Sequence, residues 1–463
     1  MKSEESMHVA RDFVKDQFPT PGGGPGLWFH AGEYLAWKDR WVVRGEEELR
    51  GALWLWLENA HFATPDGTRR FMPTGRSVSD VMDAMRAVTA CRWATLPMWT
   101  KQPGDSVPLP SPATCIAFRD VVVSVGGGVI RTFPRDERWL DVSMVDQDWE
   151  PGAECPRWGR ALEEWGEGDA RWGELLRRMM GYCLMGKREY AKWFLLQGKS
   201  RGGKGVICRT LRKLVGDQAW FSSSISALAG RFGLDGVQHA RVMSVPEVSL
   251  DDFSSRQRVA QIMKEIVGGD EMSIDVKFQR QKRNVRVKAV PVLSGNMIPQ
   301  LSNEAQSLSG KMVVLPFTRT FLGTEQFDLE EELDRELAGI AAWAVEGARR
   351  LEAEGGRGWE EPAAAETVRL RFRIENNPFD AFLEARCVKE PEGFVPTAML
   401  WREFQDWQDR NGVKMVVPRN YFAAKLESGC TWDIHRSKRR VGDRGVGHVI
   451  IGLRLRREVD DEI

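Results

Sequence analysis

Residues 198–205 read Gly198-Lys199-Ser200-Arg201-Gly202-Gly203-Lys204-Gly205, and Val206 follows. An apolar run, Trp193-Phe194-Leu195-Leu196, precedes them, and Val206, Ile207, Leu211 and Leu214 come after at helical spacing. The order is strand, glycine-rich loop, helix, with Gly-x4-Gly-Lys in the loop. Such a loop turns its backbone N–H groups inward onto a helix N-terminus, and its lysine reaches the outer phosphates of a bound polyphosphate. The stretch therefore predicts an α/β fold around a nucleoside triphosphate, with Gly198, Lys199, Ser200, Arg201, Gly202, Gly203, Lys204, Gly205 and Val206 lining the phosphates. The position after the lysine, where a Ser or Thr hydroxyl ordinarily holds Mg²⁺, is Gly205.

Working outward, 463 residues are enough for two to four domains, each with its own core. Lys plus Arg balances Asp plus Glu at 66 each, so there is no global basic field and any nucleic-acid contact must be local. Seven scattered cysteines without a Cys-x-x-Cys pair, and six dispersed histidines, argue against a disulfide framework and a structural zinc. The opening MKSEESMHVARDF does not read as a secretory signal, and no apolar run approaches membrane-spanning length, so a soluble, cytoplasmic protein is expected. The nineteen tryptophans read as core packing rather than base-stacking platforms.

The organisation expected is a mixed α/β N-terminal domain over residues 1–180, the ATPase domain over 181–352, a linker over 353–373 and a compact C-terminal domain over 374–463. In the first, Met7–Gln17 reads as a helix, Leu27–Lys38 as a hairpin, and Trp158–Met185 as helical. Asp328 is placed to cap a helix whose stripe is Leu329, Leu333, Leu337, Ile340 and Ala344, with Glu331 completing a capping box. Gly355–Ala365, with its Gly-Gly, Pro362 and three alanines, reads as the linker.

Downstream of the loop, Ala240–Pro246 reads as a buried strand ending at Glu247. A carboxylate there suits the metal-orienting or water-polarising position of a P-loop ATPase, or equally a solvated turn. A further strand, Val287–Leu293, ends at Ser294-Gly295-Asn296, where Asn296 suits either a γ-phosphate contact or a turn. No acidic residue occurs from Lys277 to Asn303, and Lys277, Arg280, Lys282, Arg283, Arg286 and Lys288 fall within twelve positions. A solvated face usually mixes signs, so this run favours contact with a nucleic-acid backbone.

The succession of phosphate loop, strand-Glu, Lys264-x3-Gly268-Gly269-Asp270-x6-Lys277 and strand-Asn resembles the superfamily 3 helicases. It is most similar to the helicase half of phage and plasmid primase-helicases and of the related poxvirus enzyme. The segments Trp149–Trp158 and Gly181–Leu184 upstream, and Pro316–Phe321 and Leu329–Trp343 downstream, carry the likeness over nearly the whole chain. It implies a P-loop AAA+ ATPase core working as a homo-hexamer on ATP and Mg²⁺, with single-stranded DNA in a central channel. Glu247 would serve at Mg²⁺ and water, Asn296 would sense the γ-phosphate, and Lys277 would sit on or beside a channel hairpin. Each site would be completed by a cation from the neighbouring subunit, either Lys311, where relatives often carry arginine, or Arg319. Gly205 and Lys311 are the two departures from the pattern.

In the C-terminal domain, three helical segments and a basic hairpin suggest a winged helix, as does the resemblance. Arg436, Lys438, Arg439 and Arg440 are its candidate contacts to duplex DNA, as at an origin. The N-terminal region shows neither zinc-ligand spacing nor a nucleotidyl-transfer set, so a primase would be a separate chain. The reading is a ring-forming, ATP-driven DNA helicase of a phage, plasmid or other mobile element. An ATP-binding replication initiator or scaffold that does not unwind is the alternative, and a metabolic P-loop kinase is a third.

Overall fold

The computed structural model describes residues 3–64, 67–91, 96–100, 108–246, 253–275, 283–301, 306–413, 417–440 and 446–456. At its centre lie five strands, β1 (Trp193–Gly198), β2 (Trp220–Ser222), β3 (Val242–Pro246), β4 (Val290–Gly295) and β5 (Met312–Phe317). They are all parallel and stand in the order β2-β3-β4-β1-β5. Parallel strands covered on both faces must be apolar on both faces, which is why these segments read as unbroken hydrophobic runs. Alternate residues separate accordingly. Phe194, Leu196, Val292, Val313 and Leu315 enter one core cluster, and Trp193, Leu195, Leu293, Met312 and Val314 the other.

Six helices position the rest: α1 (Pro156–Gly166), α2 (Ala170–Leu184), α3 (Lys204–Val215), α4 (Phe253–Gly268), α5 (Leu337–Ala353) and α6 (Ala364–Asn376). The first face is covered by α1, α2, α3 and α5, through Trp158, Trp165, Leu176, Met180, Leu211, Ile340 and Ala344. The other is covered by α4, through Val259, Met263 and Ile266. The helical stretch expected over Trp158–Met185 is thus two helices that belong to the sheet's own core. The region before them packs partly on that same core, through Ile116, Phe118, Val123 and Val145. It holds the helix Ser3–Gln17, the antiparallel strands Leu27–His30, Glu33–Trp37 and Trp41–Arg44, and a second antiparallel sheet built on Cys115–Ala117, Val121–Ser124 and Arg131–Pro134.

Two local expectations differ from the structure. Asp328 lies in the right-handed helical region (φ −87°, ψ −2°) and its side chain accepts no cap hydrogen bond. Glu331 turns toward Arg335, at 3.9 Å, instead of back toward the cap. The stripe breaks after Arg335, at Glu336. There the Glu336 carboxylate accepts the backbone N–H groups of Arg157 and Trp158, both at 2.9 Å, at the start of α1. That interaction satisfies donors no turn of helix precedes, and it favours a bend over a continuous helix. The second difference is in the linker. Residues 364–373 belong to α6, because alanine is the strongest helix former and only the Gly-Gly and Pro residues before it break structure. Ala365, Val368 and Phe372 pack on the sheet's second face, and Ile374 enters the C-terminal core.

The C-terminal unit runs helix Pro378–Arg386, strand Cys387–Pro396, helices Thr397–Asn411 and Arg419–Gly429, then strands His435–Arg440 and Val446–Leu455. The last strand lies between the other two, antiparallel to both. Phe382, Leu400, Phe404, Phe422, Ile450 and Leu453 form its core. Among the described residues no helix is long and apolar enough to cross a membrane.

Candidate nucleotide-binding site

The site forms where β1, β4 and β5 end together. Gln197 pairs with Gly295 and with Pro316, and Gly198 pairs with Phe317. Gly198 takes φ +153°, and a Cβ there would lie 2.0 Å from the Phe317 carbonyl oxygen. Gly203 takes φ +101°, and a Cβ there would lie 2.5 Å from Nε1 of Trp165. Only glycine meets both constraints, left-handed backbone and no room, so the loop's two motif glycines are dictated by its shape. The chain then enters α3 directly at Lys204.

A second segment straps the loop from outside. Lys199 N–H donates to the Phe317 carbonyl at 3.2 Å, Phe321 N–H to the Arg201 carbonyl at 3.0 Å, and the Thr320 hydroxyl to the Ser200 carbonyl at 2.9 Å. Arg201 pairs with Glu325. The strap thus takes up one loop N–H, at Lys199, and the loop carbonyls of Ser200 and Arg201.

The Lys204 ammonium, half-buried, donates to the carbonyls of Gly198 (2.8 Å) and Lys199 (2.6 Å) and to Oδ1 of Asn296 (3.0 Å). Its nitrogen lies 5.8 Å from the centre of the Phe317 ring. Burial pulls its pKa below the ordinary lysine value, with the neighbouring Cys208 opposing weakly. Asn296, ninety-two positions away in sequence, thus meets Lys204 at the end of β4. Its own carbonyl accepts Gln197 Nε2 at 3.2 Å.

The other expected site residues fall in different places. Glu247 lies outside the described residues; β3 ends one position earlier, at Pro246, which pairs with Ser294. Arg319 stands beside its own loop. Its carbonyl oxygen would be 2.9 Å from a Cβ on Gly202, and its exposed guanidinium is 4.8 Å from the centre of the Phe321 ring. Lys311 precedes β5, opposite the start of β1, where its carbonyl accepts Trp193 N–H at 3.2 Å. The length of β1 puts it about 17 Å from the loop of the same chain. Of the two candidates for a cation acting between copies, Lys311 is therefore remote from its own site and Arg319 is part of it.

The fit to a polyphosphate rests on this cradle: two glycines that no other residue could replace, an ammonium at the mouth and a three-turn helix beginning there. No metal-binding group of three His, Cys, Asp or Glu occurs among the described residues. Missing from the sequence reading were the contacts that Trp165 and the strap from Phe317 to Glu325 make with the loop. Neither leaves a local signal, because each reaches the loop from a distant segment.

The basic residues also divide. Lys277, Arg280 and Lys282 lie outside the described residues. The strands on either side, Glu271–Ile274 and Arg283–Arg286, form an antiparallel hairpin in which Glu271 is opposite Arg286 and Ile274 opposite Arg283. On the C-terminal hairpin Arg436 is held by Glu427 at 2.6 Å, and Arg439 lies over the Phe394 ring at 5.4 Å. Lys438 and Arg440 are exposed on alternate positions of one strand.

A family model described as a family of unknown function (DUF5906) matches residues 196–307, from the end of β1 past Asn296. No curated protein matches the chain. Among solved structures it is similar to the apo structure of the NrS-1 C-terminal region (305–718), at 11% identity and a TM-score of 0.49, over 96% of this chain and 99% of that one. Two A-form apo structures of the same region are similar at 11% identity. One has a TM-score of 0.49 over 96% and 100% of the two chains, and the other 0.47 over 92% and 96%.

Proposed function

We propose that this chain hydrolyses ATP and uses the cycle to move along single-stranded DNA, as a ring of identical copies. The observation that carries the first half is the meeting of Lys204 and Asn296 on a glycine-built loop, at the C-terminal edge of a parallel sheet. The strand order, with the loop strand β1 between β4 and β5, is the one an AAA+ core would have. On this reading the γ-phosphate would take Lys204 from the two loop carbonyls. Asn296 and Glu247 would then position and polarise the attacking water. Phosphoryl transfer asks the protein mainly for positioning and charge neutralisation, and these residues supply that. Glu247 is the residue available to hold Mg²⁺ with the nucleotide, since Gly205 has no hydroxyl, and the ion would supply charge neutralisation at the phosphates.

The hairpin bearing the acid-free run supports the second half, since a one-sided charge suits a phosphate backbone. The remoteness of Lys311 from its own loop fits a role on a neighbouring copy's nucleotide, and Arg319 fits one on its own. The C-terminal order helix, strand, helix, helix, strand, strand fits a winged helix whose exposed Lys438 and Arg440 touch duplex DNA. Strand displacement with ATP, compared with a non-hydrolysable analogue, tests the whole. Glu247→Gln is expected to bind ATP and lose displacement together with hydrolysis. Hydrolysis without displacement would favour the initiator or scaffold, and parental turnover by Glu247→Gln would remove that residue from catalysis.

A further inference from the structure

At the other edge of the sheet, where β3 and β4 begin, a cavity of about 490 Å³ opens between the core, the N-terminal hairpin turn at His30 and the base of the basic hairpin. Its charges are unevenly matched. Arg241, only 3% exposed, donates through Nη2 to Asp141 at 2.6 Å, while its Nη1 is buried without a hydrogen-bond partner. Arg188 lies behind. Its guanidinium donates to the carbonyls of Tyr182 (3.2 Å), Lys187 (2.7 Å), Arg241 (3.2 Å) and Lys288 and lies 5.2 Å from the centre of the Tyr182 ring, so its charge is met by peptide dipoles and an aromatic face. Burial draws even this arginine down to about 10. Lys288 stands in front, on the cavity wall, with Arg286 two residues before it.

Arg188, Arg241 and Lys288 crowd here beside Asp141, and burial, then Arg241 and Arg188, push Lys288 down to about 8 while Asp141 and Glu189 oppose. The cavity is also lined by Glu271 and Arg286, opposite each other on the basic hairpin, and by the imidazoles of His30 and His239, whose rings are 6.0 Å apart. His239 is bound to Glu33 at 2.7 Å. A cavity wall that holds a lysine so far below its ordinary value is one where an added anion would be stabilised. Arg286 and Lys288 are also the last of the six cations that begin at Lys277, so a strand lying along the hairpin would reach the cavity at its base.

We infer that this cavity seats one nucleotide of a nucleic-acid strand, its phosphate against Lys288 and Arg286, an inference that rests on the nucleic-acid reading of the hairpin. The test is fluorescence anisotropy of a labelled oligothymidylate with the full chain, its Lys288→Met and Lys288→Arg variants, and unlabelled dTMP as competitor. ATP binding on the same preparations reports that the fold is intact. Lys288→Met is expected to bind about tenfold more weakly. The slope of log affinity on log salt should fall by about 0.7, the share of one phosphate contact on a single strand.

The pH dependence separates a charge contact from a structural role. A bound phosphate raises the Lys288 pKa, so affinity holds below about 8 and declines as pH rises beyond it. Lys288→Arg keeps its charge and shows no such decline, and every other facing group is common to both proteins. Equal affinity of parent and Lys288→Met for the oligonucleotide would overturn the cavity while leaving the hairpin reading intact. No binding by the parent would overturn both. Competition by dTMP at the oligonucleotide's own concentration would make this a free-nucleotide site and overturn the strand.

Discussion

At the C-terminal edge of the parallel sheet a single lysine, Lys204, directs its hydrogen bonds to two loop carbonyls and Asn296, with peptide groups forming most of the cradle. At the N-terminal edge of the same sheet Arg188, Arg241 and Lys288 crowd together against Asp141, and side chains supply nearly all the charge. The first site is built from backbone and the second from side chains. A backbone site demands particular residues at consecutive positions, glycines where the chain turns and a lysine at the helix start. A side-chain site demands only that distant residues converge.

That contrast accounts for what the sequence discloses. The loop, the strand before it and α3 after it were all readable from residues 193–214, because left-handed turns and apolar periodicity leave local marks. Asn296 was nameable because it ends a run that reads as a buried strand, although its bond to Lys204 was not. The cavity was invisible. Asp141, Arg188, Arg241 and Lys288 lie in four segments with no shared spacing; the first three read alone as ordinary surface charges, and Lys288 only as one cation of the basic run. The Glu336 cap was hidden for the same reason, since the amides it accepts belong to a helix 178 positions earlier.

The largest effect that would break the comparison is at the backbone edge. Lys204→Ala should lower ATP hydrolysis by about 10² to 10³, the scale of one removed charge-stabilising donor. The thermal midpoint should move by no more than about 5 °C, because the carbonyls it frees at the mouth can turn to water. Steady-state ATPase kinetics and a melting curve give both. If stability fell as far as activity, Lys204 would be a structural cation like Arg188, and the two edges would not differ in kind.

A smaller effect tests the other edge. Arg241 and Asp141 are 4% and 6% exposed in their side chains, so Arg241→Ala strands a buried carboxylate. The expected cost is about 3–5 kcal/mol by denaturant unfolding, and Arg241→Met with Asp141→Leu should recover most of it, since a buried pair is worth little against apolar residues of similar volume. If Arg241→Ala were neutral, repulsion among the three cations would have to equal the pair's attraction.

The smallest effect concerns the odd residue of the loop. Gly205 is the second residue of α3 and is exposed, and a Cβ added there meets nothing nearer than Arg209 Nη1, at 2.9 Å. That guanidinium is the end of a flexible chain, drawn aside by Glu330 at 2.9 and 2.5 Å, and it can yield by a few tenths of an ångström. Gly205→Ser should therefore change stability by within about 0.5 kcal/mol, with relief of the glycine's helical penalty offsetting the contact. What it adds is a hydroxyl at the position from which phosphate loops commonly reach Mg²⁺. Titrating ATP hydrolysis against Mg²⁺ should then show half-saturation at a concentration several-fold lower than in the parent. An unchanged titration would mean that a backbone-built loop gains nothing from one more side chain. The metal would then depend on phosphate oxygens and Glu247, and the contrast between the two edges would extend to the ion as well as the anion.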